Sequence, residues 1–273
     1  MSRHGRYISL AFGSTYIAAL ASKSRALGDS SQSDRDGLGT VGGVRRLPAL
    51  AELGALLCDA GGVLLLPDGE ILRSLVGPFG LAPSDPEITR AHFVSMSALD
   101  RAGHTSYSVG HRAFARAIGS PAVHLDGVAN AVAAIYTRHP LVPIPGAAES
   151  LERLAEAGVV LGVVSNASGT MADQLAGHQI CSVDGGSTEV AVVVDSEVVG
   201  IAKPDPAIFQ IALDAIDVPR DRCWYIGDSV HFDVQGAASA GLPCVHIDPY
   251  DLCEREDHPH VSSLEAFTDA VLV

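Results

Sequence analysis

The chain has 273 residues, 47% hydrophobic and 18% charged, which suits a soluble globular protein with a sizeable core: one large domain, or a core plus an insert. Its 32 acidic against 18 basic side chains leave a net charge of −14, a field that argues against nucleic acid and anionic membrane as partners. The five cysteines are odd in number and lack CxxC spacing, which argues against disulfides and for a reducing, cytoplasmic setting.

At the N-terminus "MSRHGR" is basic and "YISLAFGSTYIAAL" mostly apolar, with an "ALA" at 19–21 that has the form of a cleavage site. Gly13, Ser14 and Thr15 interrupt the apolar stretch, so a secretion signal is the alternative rather than the expectation. Residues 1–48 are expected to form a disordered extension, since 22–46 are rich in Ser, Gly, Asp and Arg without periodicity. Gly37, Gly39 and Gly42 spell GxGxxG, but no apolar strand precedes them, so a dinucleotide-binding turn is not expected.

Residues 53–58 form the first apolar run, which ends on Asp59 and is followed by two glycines and "VLLL". From 69 to 140 apolar residues recur at spacings of three and four, broken by Gly and Pro, which predicts a run of helices without strands. Pro140, Pro143 and Pro145 mark a hinge-like return. Strands and helices then alternate: strand-like "VVLGVVS", "EVAVVVD", "CWYIGD" and "PCVHID" are interleaved with amphipathic "GAAESLERLAEAG", "GTMADQLAG", "DPAIFQIALDAI" and "VHFDVQGAASAG". This predicts an α/β fold, a Rossmann-like parallel sheet with helices on both faces. The core is expected over 49–68 and 141–273, with the helices of 69–140 inserted into it.

In open α/β sheets, ligands sit outside the carboxyl ends of the strands. The polar residues that close the apolar runs are Asp59, Ser165 with Asn166, and Asp228, and Lys203 opens the loop "KPDP". Singly, an Asp or Ser after a strand is commonly a helix cap or a turn former. Together they bring carboxylates, a hydroxyl and an ammonium to one edge. Two carboxylates about 4 Å apart repel by roughly 4 kcal/mol at an effective dielectric of about 20. Oxygen ligands favour a hard divalent ion, and Mg2+ bridges carboxylates and a phosphate while keeping several waters. With Lys203 as a further point charge, the set suits in-line attack on phosphorus through an aspartyl-phosphate.

The segments Asp59-Ala-Gly-Gly-Val, Ser165-Asn166, Lys203-Pro-Asp-Pro and Gly227-Asp228-Ser229-x-x-x-Asp233 resemble the four motifs of the haloacid dehalogenase-like hydrolases, over residues 53 to 248. The resemblance implies a Mg2+-dependent phosphatase of a small phosphorylated metabolite, with 69–140 as an α-helical cap that sets selectivity. It also implies Asp59 as nucleophile and metal ligand, the backbone carbonyl of Gly61 and Asp228 as further ligands, and Asp233 in support of the metal. Ser165 and the Asn166 backbone would hold the phosphoryl oxygens, and Lys203 would orient nucleophile and phosphate.

One position departs from the pattern. Phosphatases of this family usually carry a second Asp two residues after the nucleophile, as general acid, where this chain has Gly61. General acid catalysis is typically worth about 10²–10⁴-fold. Three outcomes are open: a substitute from Asp68, His92, His104 or His111; a substrate with a good leaving group such as an anomeric sugar phosphate or an acyl phosphate; or a weak catalyst. Alternative readings are a non-catalytic module for a phosphorylated ligand or a protein, a 2-haloacid dehalogenase-type hydrolase, and a phosphomutase. Against the dehalogenase stands the retained Gly227-Asp228-Ser229. Cys253, His258 and His260 in "CEREDHPH" lack a fourth ligand at structural-zinc spacing, so this loop is expected to be a solvated tail.

Overall fold

The structure, a computed structural model, describes residues 46–103 and 106–273. The apolar N-terminal stretch, nearly all of the extension, the Gly37–Gly42 motif and His104 lie outside the described residues.

The strands are β1 (Ala55–Cys58), β2 (Leu65–Pro67), β3 (Leu141–Pro143), β4 (Val160–Ser165), β5 (Cys181–Ser182), β6 (Thr188–Glu189), β7 (Val192–Asp195), β8 (Cys223–Gly227), β9 (Cys244–Ile247) and β10 (His260–Val261). Six of them form one sheet in the order β10-β9-β8-β1-β4-β7, with every pairing parallel. Because β1 is flanked by two strands and covered on both faces, all four of its residues are buried, which is why its sequence is apolar throughout rather than alternating.

The period of two along each strand sorts the core into two layers. Leu56, Cys58, Val163, Trp224, Ile226 and Val245 pack on one face with Leu151, Leu154 and Phe267. Ala55, Leu57, Val164, Tyr225 and Cys244 pack on the other with Ile208, Phe209 and Ala212. Helices therefore lie on both faces of a parallel sheet, the α/β class expected from the alternation.

Between β2 and β3 the described residues form four α-helices, α1 (Gly69–Val76), α2 (Asp85–Ala102), α3 (Tyr107–Ala117) and α4 (Leu125–Arg138). Their starts are written locally. Asp68 caps α1 by accepting from Glu70 N and Ile71 N, and Ser84 with Glu87 forms a capping box on α2. They bury a core of their own, including Leu72, Ile88, Phe114, Val128 and Ile135.

The fold departs from expectation in two places. The proline-rich return is a strand: β3 pairs antiparallel with β2, Leu65 opposite Pro143 and Pro67 opposite Leu141. The chain legs leaving and re-entering the sheet domain satisfy each other's backbone groups there, a demand local sequence does not reveal. The helix after Asp228 opens with a wide π-turn over Val230–Val234 before continuing as a short α-helix, Gln235–Ser239. No helix among the described residues is long and apolar enough to cross a membrane.

Candidate active site

β1 ends in the middle of the sheet, and Asp59 N still donates to Ile226 O at 2.8 Å, so the first residue beyond the strand is held in register. Its Oδ1 accepts from Ala60 N at 2.7 Å and lies 2.8 Å from Lys203 Nζ. The same ammonium reaches Asp233 Oδ1 at 2.7 Å and Tyr225 OH at 3.0 Å. An ammonium has three donors, and all three are used. Tyr225 in turn donates to Val164 O at 2.8 Å, so the lysine is tethered to the sheet itself.

Asp233 is equally committed. Its Oδ2 accepts from Asp228 N at 3.1 Å and Ser229 N at 3.0 Å, folding the loop after β8 around it. A Cβ on Gly227 would fall 2.3 Å from the Asp233 carboxyl carbon, so this strand end has room only for glycine.

Asp228 faces the helical insert. Its Oδ2 accepts from His92 Nε2 at 2.7 Å, and Tyr136 OH lies 2.8 Å from His92 Nδ1. Tyr136 donates to Nδ1 when the ring is neutral and its Nε2–H is spent on the aspartate. Gly62, at φ +70°, passes directly beneath: a Cβ there would lie 2.1 Å from Asp228 Oδ2 and 2.7 Å from His92 Nε2. Gly61 is different, since a Cβ there meets nothing within 4 Å. Of the two glycines after Asp59, only Gly62 is demanded by crowding.

One carboxylate oxygen each from Asp59, Asp228 and Asp233 lies within 4.8 Å of the others, all three residues buried. Three carboxylates against one ammonium leave surplus negative charge in a site cut off from water. Burial raises the Asp228 carboxyl, with the His92 hydrogen bond opposing it. Burial, with Asp59 and Asp228 nearby, pushes Asp233 up to about 7 despite Lys203. Burial pulls the Lys203 ammonium down, but Asp233 and Asp59 outweigh it and hold it well above its usual value. An all-oxygen donor set short of positive charge fits a hard divalent cation.

At the neighbouring strand end, Ser165 closes β4 and is 3% exposed. The Asn166 side chain clips the lysine loop: its Oδ1 accepts from Lys203 N at 2.7 Å and its Nδ2 donates to Lys203 O at 3.0 Å. The same Nδ2 donates to Tyr107 OH at 3.1 Å, and the Tyr107 ring stacks on Phe232. From α2, Asp100 accepts from Ser229 Oγ at 2.7 Å, Val230 N at 2.9 Å and His231 N at 2.8 Å, capping the turn that follows Asp228.

Asp59, Ser165, Asn166, Lys203, Asp228 and Asp233 thus collect at one edge of the sheet. Of the substitutes for the missing acid, Asp68 is spent on capping α1. His111 stacks on Tyr107 and Tyr136, with its pKa lowered by burial. His92 alone of the described candidates touches the carboxylates. Sequence reasoning missed Tyr225, Tyr107, Tyr136 and Asp100. A signal existed only for Tyr225, a polar tip in an otherwise apolar strand two residues before Gly227; the others are single residues on helices with nothing local to mark them.

The C-terminal loop overturns its expectation. His246 Nδ1 lies 3.3 Å from His258 Nε2, which is 2.9 Å from His260 Nε2 and 3.8 Å from Cys253 Sγ. The absent fourth group is His246, supplied by β9 rather than by the loop, because parallel pairing sets His260 opposite His246. His246 and His258 are buried, so this is no solvated tail.

A family model for haloacid dehalogenase-like hydrolases matches residues 53–241. A ribulose-1,5-bisphosphate 5-phosphatase of Halopiger xanaduensis is 29% identical over 139 residues, 47% of this chain and 56% of that protein. A glyceraldehyde 3-phosphate phosphatase of Pyrococcus abyssi is 32% identical over 102 residues, 37% of this chain and 41% of that protein. The chain thus spans about half the length, or less, of these curated relatives. Among solved structures, the HAD-hydrolase YfnB of Bacillus subtilis, bound to magnesium, shares the fold at a TM-score of 0.54 and 18% identity, covering 81% of this chain and 99% of that one. The family match runs from the strand that ends on Asp59 to beyond the loop that holds Asp228 and Asp233, and the chain belongs to the haloacid dehalogenase-like hydrolases.

Proposed function

We propose that this protein is a Mg2+-dependent phosphatase of a small phosphorylated metabolite, acting through an aspartyl-phosphate on Asp59 in a cytoplasmic setting. The observation that carries the reading is the buried set of three carboxylates around the single ammonium of Lys203 at the edge of the sheet. Phosphatases among the curated relatives agree with it.

Asp59, Asp228 and the Gly61 carbonyl would hold Mg2+. Asp233 supports them by fixing Lys203 and the backbone of Asp228. Bound there, the cation offsets the surplus negative charge and polarises the phosphoryl oxygens. Asp59 is the nucleophile: its carboxylate attacks phosphorus, and the bond to the leaving oxygen breaks. Lys203, already 2.8 Å from Asp59 Oδ1, holds that carboxylate in place and aimed. Ser165 and the Asn166 backbone receive the phosphoryl oxygens. The helices of 69–140 act as a cap. With Asp59 only 8% exposed beneath them, substrate entry requires the cap to swing aside, and closure excludes water.

Asp68 is spent on capping α1, and His92 spends its Nε2–H on Asp228, so neither has a proton for the leaving group. The reading therefore favours substrates whose leaving group departs unprotonated, such as anomeric sugar phosphates and acyl phosphates. The test is an aryl phosphate series with Mg2+, with Asp59→Asn as control. Turnover should fall steeply as the phenol pKa rises, and Asp59→Asn should lose about 10⁴-fold or more. Activity that survives in Asp59→Asn, or turnover indifferent to the leaving group, defeats this mechanism.

A further inference from the structure

We propose that His246 Nδ1, Cys253 Sγ, His258 Nε2 and His260 Nε2 form a second metal site, a tetrahedral structural site for Zn2+, separate from the oxygen cluster around Asp59. One donor atom from each residue lies within 4.8 Å of the other three. With Zn–N near 2.05 Å and Zn–S near 2.3 Å, a tetrahedral site has edges of about 3.3 Å between nitrogens and about 3.6 Å between nitrogen and sulfur. The edges that meet at His258 Nε2 measure 3.3 and 2.9 Å to nitrogen and 3.8 Å to sulfur.

The outer nitrogens of the rings point to a cation. His258 Nδ1 lies 2.8 Å from the Asp257 carboxylate, so its proton sits on Nδ1 and Nε2 is a bare lone pair. His246 Nε2 lies 3.2 Å from the carbonyl oxygen of Asp228, which only accepts, so its proton sits on Nε2 and Nδ1 is bare. Two lone pairs then face each other at 3.3 Å, which is repulsive unless something positive stands between them. A carboxylate behind one ligating histidine and a backbone carbonyl behind another is the usual outer support of a metal site.

The scaffold is built to hold this arrangement. Asp248 accepts from Leu252 N at 3.0 Å and Cys253 N at 2.8 Å, fixing the turn that presents the thiol. Pairing of β9 with β10 sets His246 and His260 side by side. Nitrogen and sulfur donors select a borderline-soft ion, so Mg2+ has no claim on this site. Four protein ligands leave no open position, which marks a structural rather than a catalytic ion. On binding, the Cys253 thiol gives its proton to solvent and ligates as thiolate. The ion would pin the loop of 248–260 to the strand end whose neighbour carries Asp228.

The experiment uses the full-length chain without an affinity tag. Elemental analysis of the purified protein should find about one zinc per chain. Chelator-stripped protein titrated with Co2+ alone should show tetrahedral d–d absorption and a thiolate-to-cobalt charge-transfer band, both displaced by Zn2+. Zn2+ should raise the melting temperature of the stripped protein at Mg2+ concentrations that already saturate. Cys253→Ser should remove the charge-transfer band, and His260→Ala, at an exposed position, should abolish tight binding. Asp257→Asn should weaken Zn2+ about 10–100-fold by releasing the His258 ring. A charge-transfer band that survives Cys253→Ser, Zn2+ affinity unchanged in both ligand variants, or no Co2+ spectrum at all overturns the proposal. Zn2+ binding lost instead in Asp59→Asn would assign it to the oxygen cluster and overturn it equally.

Discussion

Two polar clusters sit at the same end of the sheet, one buried and one reaching the surface at His260, and they are made of opposite materials. The cluster around Asp59 has three carboxylates and an ammonium; the one around His246 has three imidazoles and a thiol. In the first, charged groups were pulled from water against a desolvation cost, and the three carboxylates outnumber the one ammonium that offsets them. In the second, the donors are imidazoles and a thiol, and their difficulty is directional: ring nitrogens that face one another at 3.3 Å. Asp228 joins the two, its side chain in the first and its carbonyl accepting from the second. Burial alone thus does not say what a cluster binds; the sign and softness of its donors do.

The difference can be sharpened by experiment, and the largest effects are expected at the two glycines after Asp59. At Gly61 a Cβ meets nothing within 4 Å and the backbone is outside the left-handed region, so Gly61→Asp fits without strain. It restores a carboxyl able to protonate the leaving oxygen. Turnover of aryl phosphates with poor leaving groups should rise on the order of 10²-fold, flattening the dependence on phenol pKa. Gly62→Ala, in contrast, should abolish activity, because its methyl would occupy the Asp228 carboxylate.

A smaller effect separates the clusters by affinity. His92→Ala removes the hydrogen bond that orients Asp228. Calorimetric titration should show Mg2+ bound about 10–100-fold more weakly. The nitrogen–sulfur cluster, which takes no support from His92, should keep its Co2+ spectrum. Equal loss at both would mean that they act as one unit through Asp228.

The smallest effect is one of pH. The Asp233 carboxyl is lifted from 3.8 to about 7 in the metal-free fold, by burial first. The folded state then keeps this proton to higher pH than the unfolded chain does. The stability it confers is full below 3.8 and is lost as pH rises through about 7. EDTA-treated protein should therefore lose melting temperature, on the order of a few °C, as pH climbs across that window. Saturating Mg2+ should shrink the loss, since the cation replaces the proton. A melting temperature of the stripped protein that rises with pH over the same range would contradict this account of Asp233.

Much of this molecule is local in origin. An apolar run long enough to be buried on both faces, closed by a polar residue, is legible because strand burial leaves no choice of composition, and so Asp59, Ser165 and Asp228 announce the strand ends. The caps at Asp68 and Ser84 are local as well, since a helix start must satisfy its own N–H groups within a few residues, although Asp68 reads from the sequence as a candidate acid rather than a cap. The order and spacing of the four segments around those strand ends was enough to indicate the family, which the match over 53–241 then established.

Only the tertiary structure decided which distant side chains meet. His92 reaches Asp228 because the helical insert folds back over the sheet, and a helix pattern says which face is apolar but not what that face will cover. His246 looked like one more residue of an apolar strand, and "CEREDHPH" looked like a tail. They become one cluster because β10 adds to the sheet beside β9 in a register set by hydrogen bonds between strands, which no spacing along the chain encodes.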